Sequence, residues 1–426
     1  MNSKVPYNTT ELNRDQTIWI ITDIHYLSPT LHDNDEAFRH IQNTGAGKDL
    51  VYSNERMQAL IEQAKIEKPA LLIVSGDLTL NGELESFREL ANHFQQLEDN
   101  GTHVLVIPGN HDISSGWARS FFGDKQIVAE QVSPKEFEQL FANFGYNQAA
   151  AKDAHSLSYV AQPFTNMRFL MIDSNIYTHE KSSTAPKTNG ILKTETLSWI
   201  DEQLAQAKQD NVLIVPIMHH NVLNHHEMMS SGFQLDNAND LMALYNKHHV
   251  NISFSGHIHT QSIQEQSLGD VHHTEIVTQA FSLTPAPIGT LKFVDNAFHY
   301  HYTALDWQYF LKKYPTTNVD LLDHKSYLSK VFYDTTHQLV HHSLRNHPHY
   351  SVVLGDELAD IISPLNEHFF TGELLTQAYL DTNVYNQHAY QLIAESDESS
   401  FLIRYINRTI GARLNQSMQD AIVPIK

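Results

Sequence analysis

Short apolar runs rich in β-branched residues punctuate roughly the first 300 positions of the chain: TIWIIT at 17–22, ALLIVS at 70–75, HVLVI at 103–107, MRFLMI at 167–172, NVLIVPI at 211–217 and NISFS at 251–255. Their length and composition predict strands. Between the first two, Met57, Leu60, Ile61 and Ala64 recur at i, i+3, i+4 and i+7, the apolar stripe of a surface helix. Phe87, Leu90, Ala91 and Phe94 repeat that stripe after the second run, and Gly101 is placed to end the helix. Strand and helix thus alternate in the manner of layered α/β architecture. HHTEIVTQAF (272–281) and TLKFVDNAFHYHYTALDW (290–307) read as further strands. Near residue 305 the texture changes, and helical spacing takes over. It is carried by Leu328, Val331, Phe332, Thr335 and Leu339, then by Leu358, Ile361, Ile362 and Leu365, and finally by Leu402, Tyr405 and Ile406. Pro364 is expected to kink or restart the middle helix. The expected division is an α/β domain over 1–305 and a mainly helical C-terminal domain over 306–426, with no internal repeat and no low-complexity linker.

At 426 residues, one large core with an appendage, or two domains, is the prior expectation. Lys and Arg number 28 against 49 Asp and Glu, and the net charge of -21 repels polyanions, so a long nucleic acid is not an expected partner. The chain contains no Cys, which excludes disulfides and thiolate metal sites; any metal must be held by His, Asp, Glu or Asn, and 28 His are available. The opening MNSKVPYNTTELNRDQ is polar and lacks the apolar stretch of a secretion signal, and no later run approaches the length of a membrane span. A cytoplasmic location is expected for the chain as it stands, and an exported or surface location if a signal has been removed. The sequence leaves the oligomeric state open.

The strand ends carry the chemistry. TIWIIT runs into Asp23 and His25, ALLIVS into Gly76 and Asp77, HVLVI into Gly109, Asn110, His111 and Asp112, NVLIVPI into His219 and His220, and NISFS into Gly256, His257 and His259. Sites in α/β sheets form at the carboxyl ends of strands, where loops converge on one crevice. In extended backbone, residues i and i+2 face one side, so Asp23 with His25 and His257 with His259 can each present two ligands. The glycine ahead of each cluster permits a sharp exit of the backbone. Composition alone accounts for many histidines in so His-rich a chain, and His248, His249, His272, His273, His341 and His342 are set aside on that ground. A solitary Asp at a strand end is usually a cap. The conjunction of DxH, GD, GNHD, a strand-terminal His and GHxH, in that order and each at a strand end, has no such explanation.

That motif order resembles the calcineurin-like metallophosphoesterase superfamily over roughly residues 15–300, and SGDLTLNG at 75–82 is similar to the form found in class III cyclic nucleotide phosphodiesterases. The resemblance implies a metallophosphoesterase-type β-sandwich flanked by helices, with residues 306–426 as an added cap. It also implies a binuclear centre. One metal would take Asp23, His25 and His259, the other Asn110, His219 and His257, and Asp77 would bridge them. Two divalent ions outweigh two carboxylates, and the residual positive charge would bind a phosphate ester. Mixed nitrogen and oxygen ligation suits Mn²⁺ with Fe, Zn²⁺ being the alternative, better than Mg²⁺. Hydrolysis would proceed by attack of a metal-bridging hydroxide on phosphorus, without a phosphoenzyme. His111 would serve the leaving group and Asp112 would orient His111. His220 is expected behind the ligands. The loop HHNVLNHH departs from the superfamily's usual Pro-containing loop, and for His225 and His226 composition is an equal explanation. The implied activity is hydrolysis of small phosphodiesters, cyclic nucleotides foremost. The alternatives are a phosphomonoesterase or pyrophosphatase acting on nucleotides or other small phosphorylated compounds, and a non-catalytic module that kept the fold.

Overall fold

The computed structural model describes residues 10–226, 231–396 and 401–425. The strands are β1 (Ile18–Ile21), β2 (Leu71–Ser75), β3 (His103–Ile107), β4 (Arg119–Phe122), β5 (Lys125–Val128), β6 (Ala151–Lys152), β7 (Tyr159–Phe164), β8 (Met167–Ile172), β9 (Leu213–Met218), β10 (Ile252–Ser255), β11 (Ser262–Leu268), β12 (Val271–Val277), β13 (Pro287–Val294), β14 (Ala297–Ala304) and β15 (Asp420–Pro424). The helices α1 (Glu36–Thr44), α2 (Ser53–Glu67), α3 (Leu84–Asp99), α4 (Pro134–Leu140), α5 (Thr194–Gln209) and α6 (Ala238–His248) belong to the first part of the chain. The second part holds α7 (Trp307–Lys313), α8 (Val319–Leu322), α9 (His324–Leu344), α10 (Val352–Thr371), α11 (Gln377–Leu380), α12 (His388–Ser396) and α13 (Phe401–Arg413).

One sheet runs β15-β14-β13-β1-β2-β3, the other β11-β12-β10-β9-β8-β7-β6, and β4 pairs with β5 as a separate ribbon. The sheets share one apolar core, in which Trp19, Ile73 and Leu105 of the first meet Phe169, Ile217 and Phe254 of the second. The Tyr159 hydroxyl crosses between them to the Val106 carbonyl at 2.8 Å. Met57, Leu60, Phe87 and Leu90 of α2 and α3 join that core, while Ile200, Leu204, Leu241 and Tyr245 of α5 and α6 cover Leu170, Ile172 and Met218 of the second sheet. β1, β2 and β3 are mutually parallel, as are β8, β9 and β10. Strands that enter the core as continuous apolar runs suit such doubly covered parallel sheets.

The helical region begins where the spacing changes: Asp306 caps α7, its side chain accepting from Gln308 N at 3.0 Å. Its elements divide their allegiance. Phe310, Leu321 and Leu328 pack into the core of the sandwich, whereas Val340, Leu358, Ile362, Leu365, Ile403 and Ile406 form a second core of their own. The chain then returns, and β15 adds to the first sheet as the antiparallel neighbour of β14, a strand the spacing did not suggest. α10 also runs unbroken through Pro364, where a kink or restart was expected. Leu358, Ile361, Ile362, Leu365 and Phe369 are buried on both sides of the proline and hold the helix in register.

Arg413, buried at the end of α13, joins the helical region to the sandwich. Its guanidinium donates to the Phe369 carbonyl at 2.8 and 3.1 Å and to the Gln261 carbonyl at 2.9 Å, over the Phe369 ring. Hydrogen bonds to a charged group contribute about 1.5–3 kcal/mol each, and buried carbonyls left without donors are costly. Arg413→Ala should therefore lower the denaturant midpoint by an amount equivalent to about 2–4 kcal/mol; an unchanged midpoint would show that the joint contributes nothing.

Candidate metal centre

Strand ends from the two sheets meet at one edge of the sandwich. Asp23 and His25 follow β1, Asp77 follows β2, Asn110 and His111 follow β3, His219 follows β9, and His257 and His259 follow β10. Two groups of ligand atoms emerge, each with all members within 4.8 Å of one another: Asp23, His25, Asp77 and His259, and Asp77, His219 and His257. Asp77 belongs to both. Its Oδ2 lies 3.7 Å from His25 Nε2 and its Oδ1 3.5 Å from His219 Nε2. Asn110 Oδ1 approaches the same His219 Nε2 at 3.1 Å, which places the amide with the second group.

The pairs Asp23/His25 and His257/His259 do converge on one crevice, although not through the extended backbone expected. Asp23, His25, Asp77, His257 and His259 have φ of 51, 46, 48, 70 and 62°, the left-handed region that non-glycine residues rarely adopt. Such conformations cost energy and persist where their surroundings fix them. Backbone bonds from Asp23 N to Gly76 O and from His25 N to Asp77 O, both 3.0 Å, provide that fixing. Gly76, at φ 98°, makes the sharp exit expected of it, whereas Gly109 and Gly256 act by absence. A Cβ on Gly109 would stand 2.2 Å from Asp77 Oδ1, and one on Gly256 would stand 2.0 Å from Thr22 Oγ1 and 2.7 Å from Asp23 Oδ2.

The donor set fits divalent cations. Asp23 Oδ2 accepts from Thr22 Oγ1 (2.7 Å) and His257 N (3.0 Å), but its buried Oδ1 has no hydrogen-bond partner and faces His259 Nε2 at 3.1 Å. His25 Nε2 and His259 Nε2 point at each other across 3.2 Å. The far nitrogens of the second group are tied back: His219 Nδ1 sits 2.9 Å from the Ser75 carbonyl and His257 Nε2 3.1 Å from the Gly232 carbonyl. Such bonds fix the tautomer and aim the other nitrogen at a metal.

Burial works to raise Asp23 and Asp77, yet His259 and His219 beside the one, and His219 and His111 beside the other, hold both carboxyls below their usual range. Burial likewise opposes a proton on His219, but Asp77 and Asp23 outweigh it and push the imidazole up to about 9. His257 is pushed down to about 3 by burial and by His219.

His111 is at the crevice, with its ring centroid 5.2 Å from that of His25 and its Nε2 4.0 Å from Asp77 Oδ2. Asp112 does not orient it. The Asp112 carboxylate accepts N–H groups from Leu78, Thr79 and Gly109 at 3.0, 3.0 and 2.8 Å and the Thr79 hydroxyl at 3.1 Å, clamping the β2 and β3 loops together. Adjacent residues in that tight turn point to different sides, and Asn81 takes the expected role instead, its Oδ1 2.8 Å from His111 Nδ1. His220 lies behind the ligands, with Nδ1 2.7 Å from Ser174 Oγ and Nε2 3.1 Å from the Thr188 carbonyl, its ring 4.5 Å from that of His257. His225 is held away from the crevice, 3.1 Å from Glu275 Oε2, and His226 packs on Phe369.

Lys48 has no counterpart among the sequence expectations. It sits half-buried in the loop between α1 and α2, where burial lowers its pKa and the charges of Asp77 and Asp23 work to raise it; its own charge presses on His25 and His111. Among the described residues its Nζ has no hydrogen-bond partner. The only sequence signal was its place in a Gly-flanked loop, GAGKD, away from any strand end.

Residues 16–261 match the model of the calcineurin-like phosphoesterase family, and residues 306–411 match that of the C-terminal domain of cyclic nucleotide phosphodiesterase. A probable cyclic nucleotide phosphodiesterase of Moraxella catarrhalis is 22% identical over 213 residues, which is 49% of this chain and 64% of that protein, a little under two thirds of its length. A 3',5'-cyclic-nucleotide phosphodiesterase of Nostoc sp. is 22% identical over 61% of this chain and 74% of its own. A probable glycerophosphodiester phosphodiesterase of Arcobacter nitrofigilis is 26% identical over 46% and 58%, respectively. Among solved structures, a dimetal phosphatase from Danio rerio aligns with a TM-score of 0.48 and 14% identity, covering 69% of this chain and 98% of that one. No helix among the described residues is long and apolar enough to cross a membrane.

Because Asp77 alone belongs to both ligand groups, Asp77→Asn should cut the divalent metal retained after dialysis by more than half, whereas His259→Ala should remove no more than one ion. Elemental analysis of the purified proteins decides it: two retained ions in the Asp77→Asn protein would reject the shared role.

Proposed function

The chain belongs to the calcineurin-like phosphoesterase family, and on that premise we propose that it is a binuclear metal-dependent phosphodiesterase of small substrates, cyclic nucleotides foremost. The observation that carries the reading is Asp77 shared between two sets of nitrogen and oxygen donors at one edge of the sandwich. Asp23, His25 and His259 would hold one cation and Asn110, His219 and His257 the other, with Asp77 between them; two cations so held supply a water of lowered pKa and positive charge to offset the phosphate. Mn²⁺ with Fe suits this donor set, with Zn²⁺ the alternative.

The chain's own residues would do the rest. Asn81 accepts from His111 Nδ1 and leaves Nε2 to exchange a proton with the departing oxygen. Asp112 holds the loop that carries His111 without touching its ring. Lys48, whose Nζ has no hydrogen-bond partner among the described residues, carries its charge beside the centre, where it would meet a phosphate oxygen. The helical region supports that rim. Tyr327 of α9 donates to Asp49 at 3.0 Å, Asp49 pairs with buried Arg56 at 2.5 Å, and Phe332 of α9 fills the space at Gly47, where a Cβ would stand 2.8 Å from its ring. α9 therefore braces the loop that holds Lys48, consistent with a wall rather than a tethered bundle. The match of residues 306–411 to a domain described from cyclic nucleotide phosphodiesterases, together with the relatives' names, favours a cyclic diester. The relative named for glycerophosphodiesters favours an open diester as the second reading.

A substrate panel with added Mn²⁺ tests the function. Cyclic nucleotides and aryl diesters should turn over faster than aryl monoesters, and a preference for monoesters would overturn the reading. A general acid contributes about 10²–10⁴-fold, so His111→Ala should lose activity of that order on an alkoxide leaving group and far less on an activated aryl ester. Equal losses would assign His111 to positioning. Lys48→Ala should raise KM for anionic diesters by about tenfold, the effect of one partly exposed charge-assisted contact, while leaving metal content unchanged.

A further inference from the structure

The helical region carries a second meeting of imidazole and carboxylate, remote in sequence from the strand ends. His337 and His341 lie one turn apart on α9, and Asp356 faces them from α10, all three offering ligand atoms within 4.8 Å of one another. His337 Nε2 is 2.8 Å and His341 Nε2 3.1 Å from the same Asp356 Oδ1, and the two rings lie 4.2 Å apart. His341 was set aside as composition in the sequence; its partner on α9 and its neighbour on α10 give it a setting that His342 lacks.

Two further features point to a ligand rather than to a chance ion pair. The Tyr350 hydroxyl lies 3.1 Å from His341 Nδ1, which fixes the ring and leaves Nε2 aimed at the cluster, the arrangement that metal-ligating histidines use. Gly355, in the first turn of α10, leaves room for that ring: a Cβ there would stand 2.4 Å from His341 Cε1 and 2.7 Å from its Nδ1. His337 and His341 at i and i+4 share one helix face, so both imidazoles reach the cluster without distortion. The side chains of His337 and Asp356 remain 37% and 48% exposed, so an ion has a path in and water can complete its coordination.

We propose that His337, His341 and Asp356 form a binding site for a divalent ion of zinc type that links α9 to α10, separate from the paired centre. Two imidazoles and one carboxylate make a three-ligand set that leaves the remaining position to water. An ion bound only when the helices are packed stabilises the packed state by mass action. Its role is to brace the helical region whose α9 supports the Lys48 loop.

The test uses the full chain. Protein loaded with Mn²⁺ is titrated with Zn²⁺ calorimetrically, and retained metal is counted by elemental analysis. Wild type should retain one more Zn²⁺ per chain than His341→Ala or His337→Gln, and the same difference of one should persist on the Asp77→Asn background, whose paired centre is depleted. Tyr350→Phe should weaken this Zn²⁺ by about tenfold or more. Added Zn²⁺ should raise the thermal midpoint of wild type and leave that of His341→Ala where it was. Both histidines are partly exposed and outside the hydrolytic centre, so the variants' activity with Mn²⁺ reports that they are folded. Equal Zn²⁺ counts in wild type and both variants, or a wild-type midpoint indifferent to Zn²⁺, would overturn the site and leave an ordinary ion pair.

Discussion

Asp23 and Asp77 are withdrawn from water at the place where two sheets meet, with exposures of 0 and 1%. A buried carboxylate is tolerated only where positive charge or hydrogen bonds replace its solvation. Much of the surrounding structure follows from that requirement. Strands of both sheets must end at the same edge so that imidazoles from each can face the acids. The backbone must turn left-handed at five candidate ligands to bring them inward. Gly109 and Gly256 must lack side chains because Asp77 occupies the space at the one, and Thr22 with Asp23 the space at the other. The Ser75 and Gly232 carbonyls must take the outer nitrogens so that the inner ones stay directed at the acids.

What the sequence made legible was the chemistry that recurs at one kind of place. A polar cluster directly after an apolar run is visible without coordinates, because the run marks the strand and the cluster marks its end. The strand-end ligands could therefore be grouped before their distances were known. Roles set by side-chain direction within a tight turn were not legible. Asp112 is adjacent to His111 in the chain but turns toward the Leu78 and Thr79 amides, and Asn81, thirty residues away, reaches the imidazole. Lys48 was invisible for a related reason. It comes from a loop between helices, and its nearness to Asp77 is a tertiary fact with no periodic trace.

The helical region shows the same limit at larger scale. Its stripes announced helices, but a stripe does not name what it faces. Leu328 and Phe332 turn toward the sandwich side of α9, while Val340 and Leu344 further along the same helix face the second core. Leu339, which the spacing placed on the buried stripe, is 41% exposed, and Val340 holds the interior position instead. One long helix thus belongs to two cores, and this is why a boundary drawn at residue 305 describes the change of texture better than the packing.

β15 gives that packing a consequence in the order of synthesis. β14 and β15 are antiparallel neighbours in the first sheet, and all of the helical region lies between them in the chain. Topologically it is an insertion within a strand pair rather than an appendage. As the polypeptide emerges from the ribosome, β14 is made more than a hundred residues before its partner, and its outer edge stays an unpaired row of amides and carbonyls throughout. All of α7 to α13 is therefore synthesised before the strand that closes that edge.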